Sequence, residues 1–135
     1  MRARRTLAAV AARRPGWWAG LAHATPALYA GLLAEGTYAP RLRRSRRSGV
    51  VVAAGPPGLE LWDARRGTPL AAWPWGAIAS VRSDTRDGTS ALVVETLAGA
   101  VLPLVLAAGR AGRGAAGAAE VDDVVGRVRA LRDAA

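Results

Sequence analysis

The densest group of chemically capable side chains in this sequence is a run of arginines before its midpoint. Five guanidinium groups fall within seven residues, at Arg41, Arg43, Arg44, Arg46 and Arg47. Because a guanidinium is permanently charged and donates several hydrogen bonds, such a run favours contact with the phosphates of lipid headgroups or nucleic acids. No aromatic residue interrupts the run, so base stacking is not indicated, whereas sequence-independent phosphate contact stays open. A solvated linker is the alternative interpretation.

Residue types that support catalysis are nearly absent from the chain. It has no cysteine, which excludes thiol catalysis, disulfide bonds and thiolate metal sites, and its one histidine is His23. A Ser-His-Asp triad would need His23, which has no acidic neighbour in sequence, so we interpret it as incidental. Asp122 and Asp123 fit the start of a helix, and the glycine-rich residues 109–117 lack the lysine of a phosphate loop. The sequence therefore predicts a protein with no enzymatic activity, metal or cofactor.

The positive charge is confined to the first third of the chain. The 135 residues carry a formal net charge of +9. Residues 1–48 contain ten arginines and one acid, Glu35, whereas residues 49–135 contain nine arginines and nine acids. This asymmetry predicts a basic N-terminal segment, residues 1–48, followed by a neutral globular domain, residues 49–135.

Helix signals occur twice within the basic segment. Residues 4–14 have the composition of a short helix that ends at a Pro-Gly pair. A second helix is predicted over residues 27–35, because Thr25 is a favourable N-cap and Pro26 suits the first helical position. We therefore expect the N-terminal segment to be basic and helical.

Residues 15–34 form an uncharged stretch of 20 residues between arginine-bearing flanks. This length matches a membrane-spanning helix, and tryptophans at one end suit the membrane interface. Three interpretations stay open: a helix that spans or lies on a membrane, an amphipathic helix packed on the domain or on a partner, and a secretory signal that begins at Arg4-Arg5. On the membrane interpretation, the side chains expected to insert are Trp17, Trp18, Leu28, Leu32 and Leu33.

From residue 49 onward, short apolar runs separated by turn residues predict an antiparallel β structure. The predicted strands cover residues 50–54, 59–63, 69–73, 78–85, 91–97 and 101–107. After a loop rich in Gly and Ala, the chain ends in a helix over residues 120–133. Its apolar residues recur at helical spacing from Val121 to Leu131, so this helix must cover a sheet or a barrel mouth.

Six strands followed by one amphipathic helix resemble the pleckstrin-homology (PH) superfold, a bent antiparallel sheet or partly open barrel capped by its C-terminal helix. Residues 58–62, residues 73–81, the hairpin over 91–107 and the helix 121–131 are similar to a bacterial, actinobacterial-type PH-like family. The resemblance covers about residues 49–133 and rests on core positions. It implies a noncatalytic module that recognises membranes or proteins. Lipid-binding members carry a basic signature in their first hairpin loop, whereas here the arginine run precedes the first predicted strand.

Trp73 and Trp75 are separated by Pro74 and could share one face of a strand. Packing in the core is the simpler interpretation, and an exposed patch for a protein partner is the other. Taken together, the sequence predicts a noncatalytic PH-like module in the cytoplasm, peripheral to or anchored in the membrane through Arg41–Arg47. An arginine-rich protein associated with nucleic acid is one alternative. A protein-protein adaptor without a membrane role is the other.

Overall fold

The computed structural model describes residues 2–37, 49–108 and 114–135. Three helices and seven strands make up this part of the chain. In chain order they are α1 (Arg2–Arg13), β1 (Trp18–His23), α2 (Pro26–Ala34), β2 (Gly49–Gly55), β3 (Gly58–Asp63), β4 (Pro69–Pro74), β5 (Ile78–Arg86), β6 (Thr89–Thr96), β7 (Val101–Leu106) and α3 (Ala118–Asp133). A single 3-10 turn, Trp75–Ala77, joins β4 to β5.

The seven strands form one antiparallel sheet in the order β4-β3-β2-β1-β7-β6-β5. Most neighbours in the sheet are consecutive in the chain, but β1 lies between β2 and β7. β1 pairs with β2 over all six of its residues, from Trp18 opposite Ala54 to His23 opposite Gly49. Its pairing with β7 is limited to Ala22 and His23. The first strand thus joins the two halves of the sheet.

The main hydrophobic core lies on one face of this sheet. Alternate residues of β2 face it, because side chains along a strand point to opposite faces, and leucines of β3, β6 and β7 surround them. α3 contributes Val121, Val125 and Val128, and α2 contributes Leu28 and Leu32. An arginine of α3 also forms a hydrogen bond with β5: Arg129 Nε donates to the carbonyl oxygen of Val81 at 2.7 Å.

The opposite face of β2 carries a second, smaller core under α1. It consists of Val10 from α1, Val51 and Ala53 from β2, and Trp62 and Ala64 nearby. β2 is therefore buried on both faces, which explains why it is an uninterrupted apolar run rather than an alternating one.

Much of the expected secondary structure is confirmed. All six predicted strands are present, the C-terminal helix begins two residues earlier than expected, and both N-terminal helices form. Thr25 caps α2 as predicted, since its Oγ1 accepts a hydrogen bond from the amide of Leu28 at 3.1 Å. The observed fold combines a seven-stranded antiparallel sheet, an N-terminal helix and a C-terminal helix packed on the strands.

The sequence analysis missed β1, and this omission changes the domain boundary. Residues 18–23 are a strand hydrogen-bonded to β2, and Leu28 and Leu32 belong to the main core. The prediction that residues 1–48 precede the domain as a separate segment is therefore wrong for α1, β1 and α2. Residues 15–34 do not form one continuous helix, because β1 occupies their first half. In the described parts of the chain, no helix is long and apolar enough to cross a membrane.

Candidate functional site

The arginine run that dominated the sequence analysis, Arg41, Arg43, Arg44, Arg46 and Arg47, lies outside the described residues. Its role as a contact for anionic surfaces stays a prediction. By position in the chain it belongs to the connection between β1 and β2, since β1 ends at His23 and β2 begins at Gly49.

Helix α1 presents a second group of arginines, with no acidic residue in the helix. Thr6 and Val10 are buried against the sheet, which leaves Arg2, Arg4, Arg5 and Arg13 exposed. None of these four side chains forms an ion pair with another residue of the described ranges. Because the apolar side of the helix is packed on β1 and β2, the helix holds its positive charges on the solvent side.

The next arginine, Arg14, differs from these four because it forms an ion pair, although Arg13 also lies 5.8 Å from the ring centroid of Trp62. Its Nε donates to Glu60 Oε1 at 3.0 Å and one of its terminal nitrogens donates to Glu60 Oε2 at 3.2 Å. The guanidinium lies 5.4 Å from the ring centroid of Trp17 and 5.8 Å from that of Trp62, within cation-π range. The hydrogen bond and the charge of Glu60 raise the pKa of Arg14, so this side chain stays charged while it joins α1 to β3.

Trp17 and Trp18 follow α1 and are both half-buried. The ring of Trp17 lies against the backbone of Gly55, where a Cβ would overlap the indole. The ring of Trp18 lies over Gly20, where a Cβ would be 2.9 Å from Trp18 Cζ2. The missing side chains of the two glycines therefore make room for both indoles. Held in this way, Trp17 and Trp18 retain a partly exposed surface beside the arginines of α1.

A groove of about 730 Å³ lies between α1, β1 and α3, and we call it the basic groove. Its lining consists of Arg4, Leu7, Ala8 and Ala11 of α1, residues 17–19 and Leu21, and Arg127 of α3. Two guanidinium groups and two indoles thus border an otherwise apolar surface, and no acidic side chain lines it among the described residues. This combination suits an anion that also has apolar parts.

Arg127 is the one arginine of α3 available to the basic groove. Arg129 donates to the carbonyl oxygen of Val81, and Arg132 donates to that of Ala79 at 2.9 Å, so both are engaged with β5. Neither Arg4 nor Arg127 was predicted from the sequence to line a binding groove. They are more than a hundred residues apart in the chain, and only the packing of α1 and α3 around β1 brings them to one groove.

A second groove, of about 560 Å³, lies between α2 and the face of β5, β6 and β7 that points away from the main core. We call it the apolar groove. It is lined by Ala27, Ala30, Gly31 and Ala34 of α2, by Ala91, Val93, Val101, Pro103 and Val105 of β6 and β7, by Gly99 and Ala100, and by Arg82, Asp84, Arg86 and Thr89.

The residues expected to insert into a membrane have different environments. Leu28 and Leu32 are fully buried in the main core, because α2 turns this side towards the sheet, so the prediction that they insert is wrong. Leu33 is 45 % exposed and stays available for insertion. Trp17 and Trp18 could insert only in part, because one face of each indole is packed against a glycine, Gly55 and Gly20 respectively.

The predicted partner patch at Trp73 and Trp75 is wrong. Both side chains are buried, with 8 % and 7 % of their surface exposed. Trp75 Nε1 also donates a hydrogen bond to the carbonyl oxygen of Gly55 at 3.0 Å. Trp73 and Trp75 are core residues that connect β4 and the following turn to β2 and β3. This agrees with the interpretation that they pack in the core.

His23 has a partner that its sequence neighbours did not suggest. Its Nε2 donates a hydrogen bond to the carbonyl oxygen of Gly114 at 2.6 Å. This contact joins the end of β1 to the residues before α3. Across residues 2–37, 49–108 and 114–135, no three His, Asp or Glu side chains are grouped closely enough to hold a metal ion.

Comparisons with protein-family models and with curated proteins find no relative of this chain. No protein-family model matches it, and no curated protein is significantly similar to it.

Proposed function

We propose that this protein is a noncatalytic PH-like binding module that attaches to the anionic, cytoplasmic face of a membrane through its arginine-rich N-terminal region. The observation that carries the proposal is the arrangement of unpaired charge on α1. Arg2, Arg4, Arg5 and Arg13 are exposed there without an acidic neighbour in the helix, beside the half-buried indoles of Trp17 and Trp18. Arginine next to tryptophan is typical of surfaces that meet lipid headgroups.

Electrostatic attraction to anionic lipid is sufficient in size for such a role. Each arginine near an anionic surface contributes about 1 kcal/mol, and the four exposed arginines of α1 therefore contribute roughly 4 kcal/mol. The run Arg41–Arg47 would add to this attraction. Because the Debye length is about 8 Å at physiological ionic strength, the attachment should weaken markedly as salt is added.

The order of the strands supports the PH-like assignment. Starting from β1, each strand pairs with the next one in the chain, as in a meander, with one exception. β4 does not pair with β5, and these two are the edge strands of the sheet. The two halves of the sheet are joined by the pairing of β1 with β7. A seven-stranded meander joined through its first and last strands, with a C-terminal helix over its core, fits a partly open PH-like barrel. The strand β1 also alters the comparison with lipid-binding members. Their basic signature lies in the hairpin loop between the first two strands, and in this sequence Arg41–Arg47 also falls between β1 and β2, although α2 precedes it there.

Sedimentation with lipid vesicles tests the proposal. The full-length chain is mixed, at physiological salt, with vesicles that contain phosphatidylserine or with purely zwitterionic vesicles. The double variant Arg4→Ala/Arg5→Ala removes two charges from α1, and alanine preserves helix propensity. We expect the full-length chain to sediment with anionic vesicles only, and the double variant to bind about 30-fold more weakly, which corresponds to about 2 kcal/mol.

The matched control is Arg65→Ala/Arg66→Ala, which removes two exposed charges from the turn after β3. If binding is oriented through α1, this control should bind nearly as well as the unaltered chain. Absence of sedimentation with anionic vesicles would refute the membrane proposal. A steeply salt-dependent affinity for duplex DNA without any lipid preference would favour the nucleic-acid alternative instead.

A further inference from the structure

The exposed side of α2 is unusual for a helix at a protein surface. Tyr29 is the only polar side chain between Pro26 and Ala34. A helix that is apolar on all sides is normally covered on all sides. Here one side is buried in the main core, whereas Ala27, Ala30, Leu33 and Ala34 are exposed.

The large exposed hydrophobic side chains of the described residues occur near this same helix. They are Leu33, Leu97 and Val101, with 45 %, 69 % and 45 % of their surface exposed. Leu33 lies on α2 itself, and Val101 lines the apolar groove next to Gly31, whose Cα lies close to the carbonyl of Val101. Leu97 lies in the turn between β6 and β7, whose residues Gly99 and Ala100 also line the groove.

The apolar groove is more polar on its β5 side than on its β7 and α2 side. Arg86 pairs with Thr89 at the last position before the β5–β6 turn, and both line the groove. Gly99 and Val101 line it at the β6–β7 turn, which lies at the opposite end of β6. Between these turns the floor consists of Ala91, Val93 and Pro103. β5 adds Arg82, opposite Val93, and Asp84, opposite Ala91, so polarity decreases across the sheet from β5 towards β7 and α2.

Two arginines of β5 that line the groove keep hydrogen-bonding capacity. Arg86 Nε donates to Asp84 Oδ2 at 3.0 Å, and 84 % of the Arg86 side chain is exposed. Arg82 donates through one terminal nitrogen to Glu95 Oε1 at 3.0 Å. A guanidinium has five N–H donors, so each of these arginines has donors beyond those used in its ion pair. An anionic head with an apolar tail matches this distribution of groups.

We propose that the apolar groove binds a single medium-chain fatty acid, with the carboxylate beside Arg86 and Thr89 and the hydrocarbon chain running between α2 and β7 towards Val101. The volume of about 560 Å³ is within the range of roughly 300–1,000 Å³ typical of small-molecule sites. The hydrocarbon chain of the bound fatty acid would cover the exposed alanines of α2. This site is separate from α1 and the basic groove, and it does not depend on the proposed membrane attachment.

Calorimetric titration of the full-length chain with dodecanoate, below its micelle concentration, tests the inference. Each buried methylene contributes enough hydrophobic free energy to change affinity about fourfold, so decanoate should bind roughly 16-fold more weakly than dodecanoate. Dodecyltrimethylammonium has the same hydrocarbon chain with a cationic head, and it should bind at least tenfold more weakly than dodecanoate because its head cannot accept a hydrogen bond from the remaining N–H groups of Arg86.

The variant Ala30→Trp fills the groove from α2 at an exposed position, so it should leave the fold intact and weaken dodecanoate binding at least tenfold. Its matched control is Ala130→Trp, the same substitution at an exposed position of α3, which should bind as the unaltered chain does. Circular dichroism verifies that both variants fold. The inference is overturned if dodecanoate fails to bind at millimolar concentration, if Ala30→Trp binds it normally, or if the cationic amphiphile binds equally well. Because vesicle sedimentation is measured separately, none of these results bears on membrane attachment.

Discussion

Two helical glycines of this protein should respond in opposite ways to the same substitution. Gly31 lies in the interior of α2 and Gly126 in the interior of α3. On helix propensity alone, alanine at either position should stabilise the protein by about 0.5–1 kcal/mol. At Gly126 an added Cβ would meet no atom within 4 Å. Gly126→Ala should therefore raise the free energy of unfolding by about this amount.

At Gly31 the packing outweighs the propensity. An added Cβ would overlap the carbonyl oxygen of Val101 and would lie 2.9 Å from Leu102 Cδ2. Since the carbonyl belongs to a paired strand, it cannot move without displacing β7 or α2. Overpacking of this kind costs about 1–3 kcal/mol, which exceeds the gain in propensity. Gly31→Ala should therefore lower the free energy of unfolding by about 1–2 kcal/mol.

Urea denaturation followed by circular dichroism measures both variants. At about 4 °C for each kcal/mol, the melting temperatures should also move in opposite directions. The reasoning fails if Gly31→Ala is as stable as the unaltered chain, because α2 would then not lie in close contact with β7. A destabilised Gly126→Ala would show instead that the propensity argument does not apply to α3.

Two further predictions test the environments of individual core residues. Leu32→Ala should lower the free energy of unfolding by about 2–5 kcal/mol because Leu32 is fully buried, whereas Leu33→Ala, at the next position, should change it by less than about 1 kcal/mol. Equal effects in urea denaturation would contradict the orientation of α2. Trp75→Phe keeps an aromatic ring but leaves the carbonyl oxygen of Gly55 without its donor, so it should cost about 1–3 kcal/mol. An unchanged midpoint of denaturation would show that this hydrogen bond contributes nothing.

Most of the fold could be predicted because its signals are local. The stripe from Val121 to Leu131 specifies the face of α3, and the turn Asp87-Gly88 has the positive φ angles, 51° and 78°, that its sequence predicts. Thr25 and Pro26 mark the start of α2 in the same way. Each of these signals depends on residues a few positions apart, so the sequence alone was sufficient.

β1 could not be predicted because its signal is not local. Its six residues, WAGLAH, include two alanines and one glycine, which have low strand propensity. They form a strand because β2 pairs with them along their full length, across an interval that contains α2. The basic groove was missed for the same reason. Arg4 and Arg127 become neighbours of one cavity only through the tertiary packing of the first and last helices.

The most direct test of the central claim is fractionation of the full-length chain expressed in a bacterial host. Removal of residues 1–48 would not serve as a control, because it would delete β1 and the core residues of α2. The double variant Arg4→Ala/Arg5→Ala is suitable instead. The account predicts that the full-length chain pellets with membranes at low ionic strength, is released by a high-salt wash, and pellets less when the two arginines of α1 are replaced. A full-length chain that stays in the supernatant at low ionic strength, or a pellet that resists salt, would contradict electrostatic attachment through the N-terminal arginines.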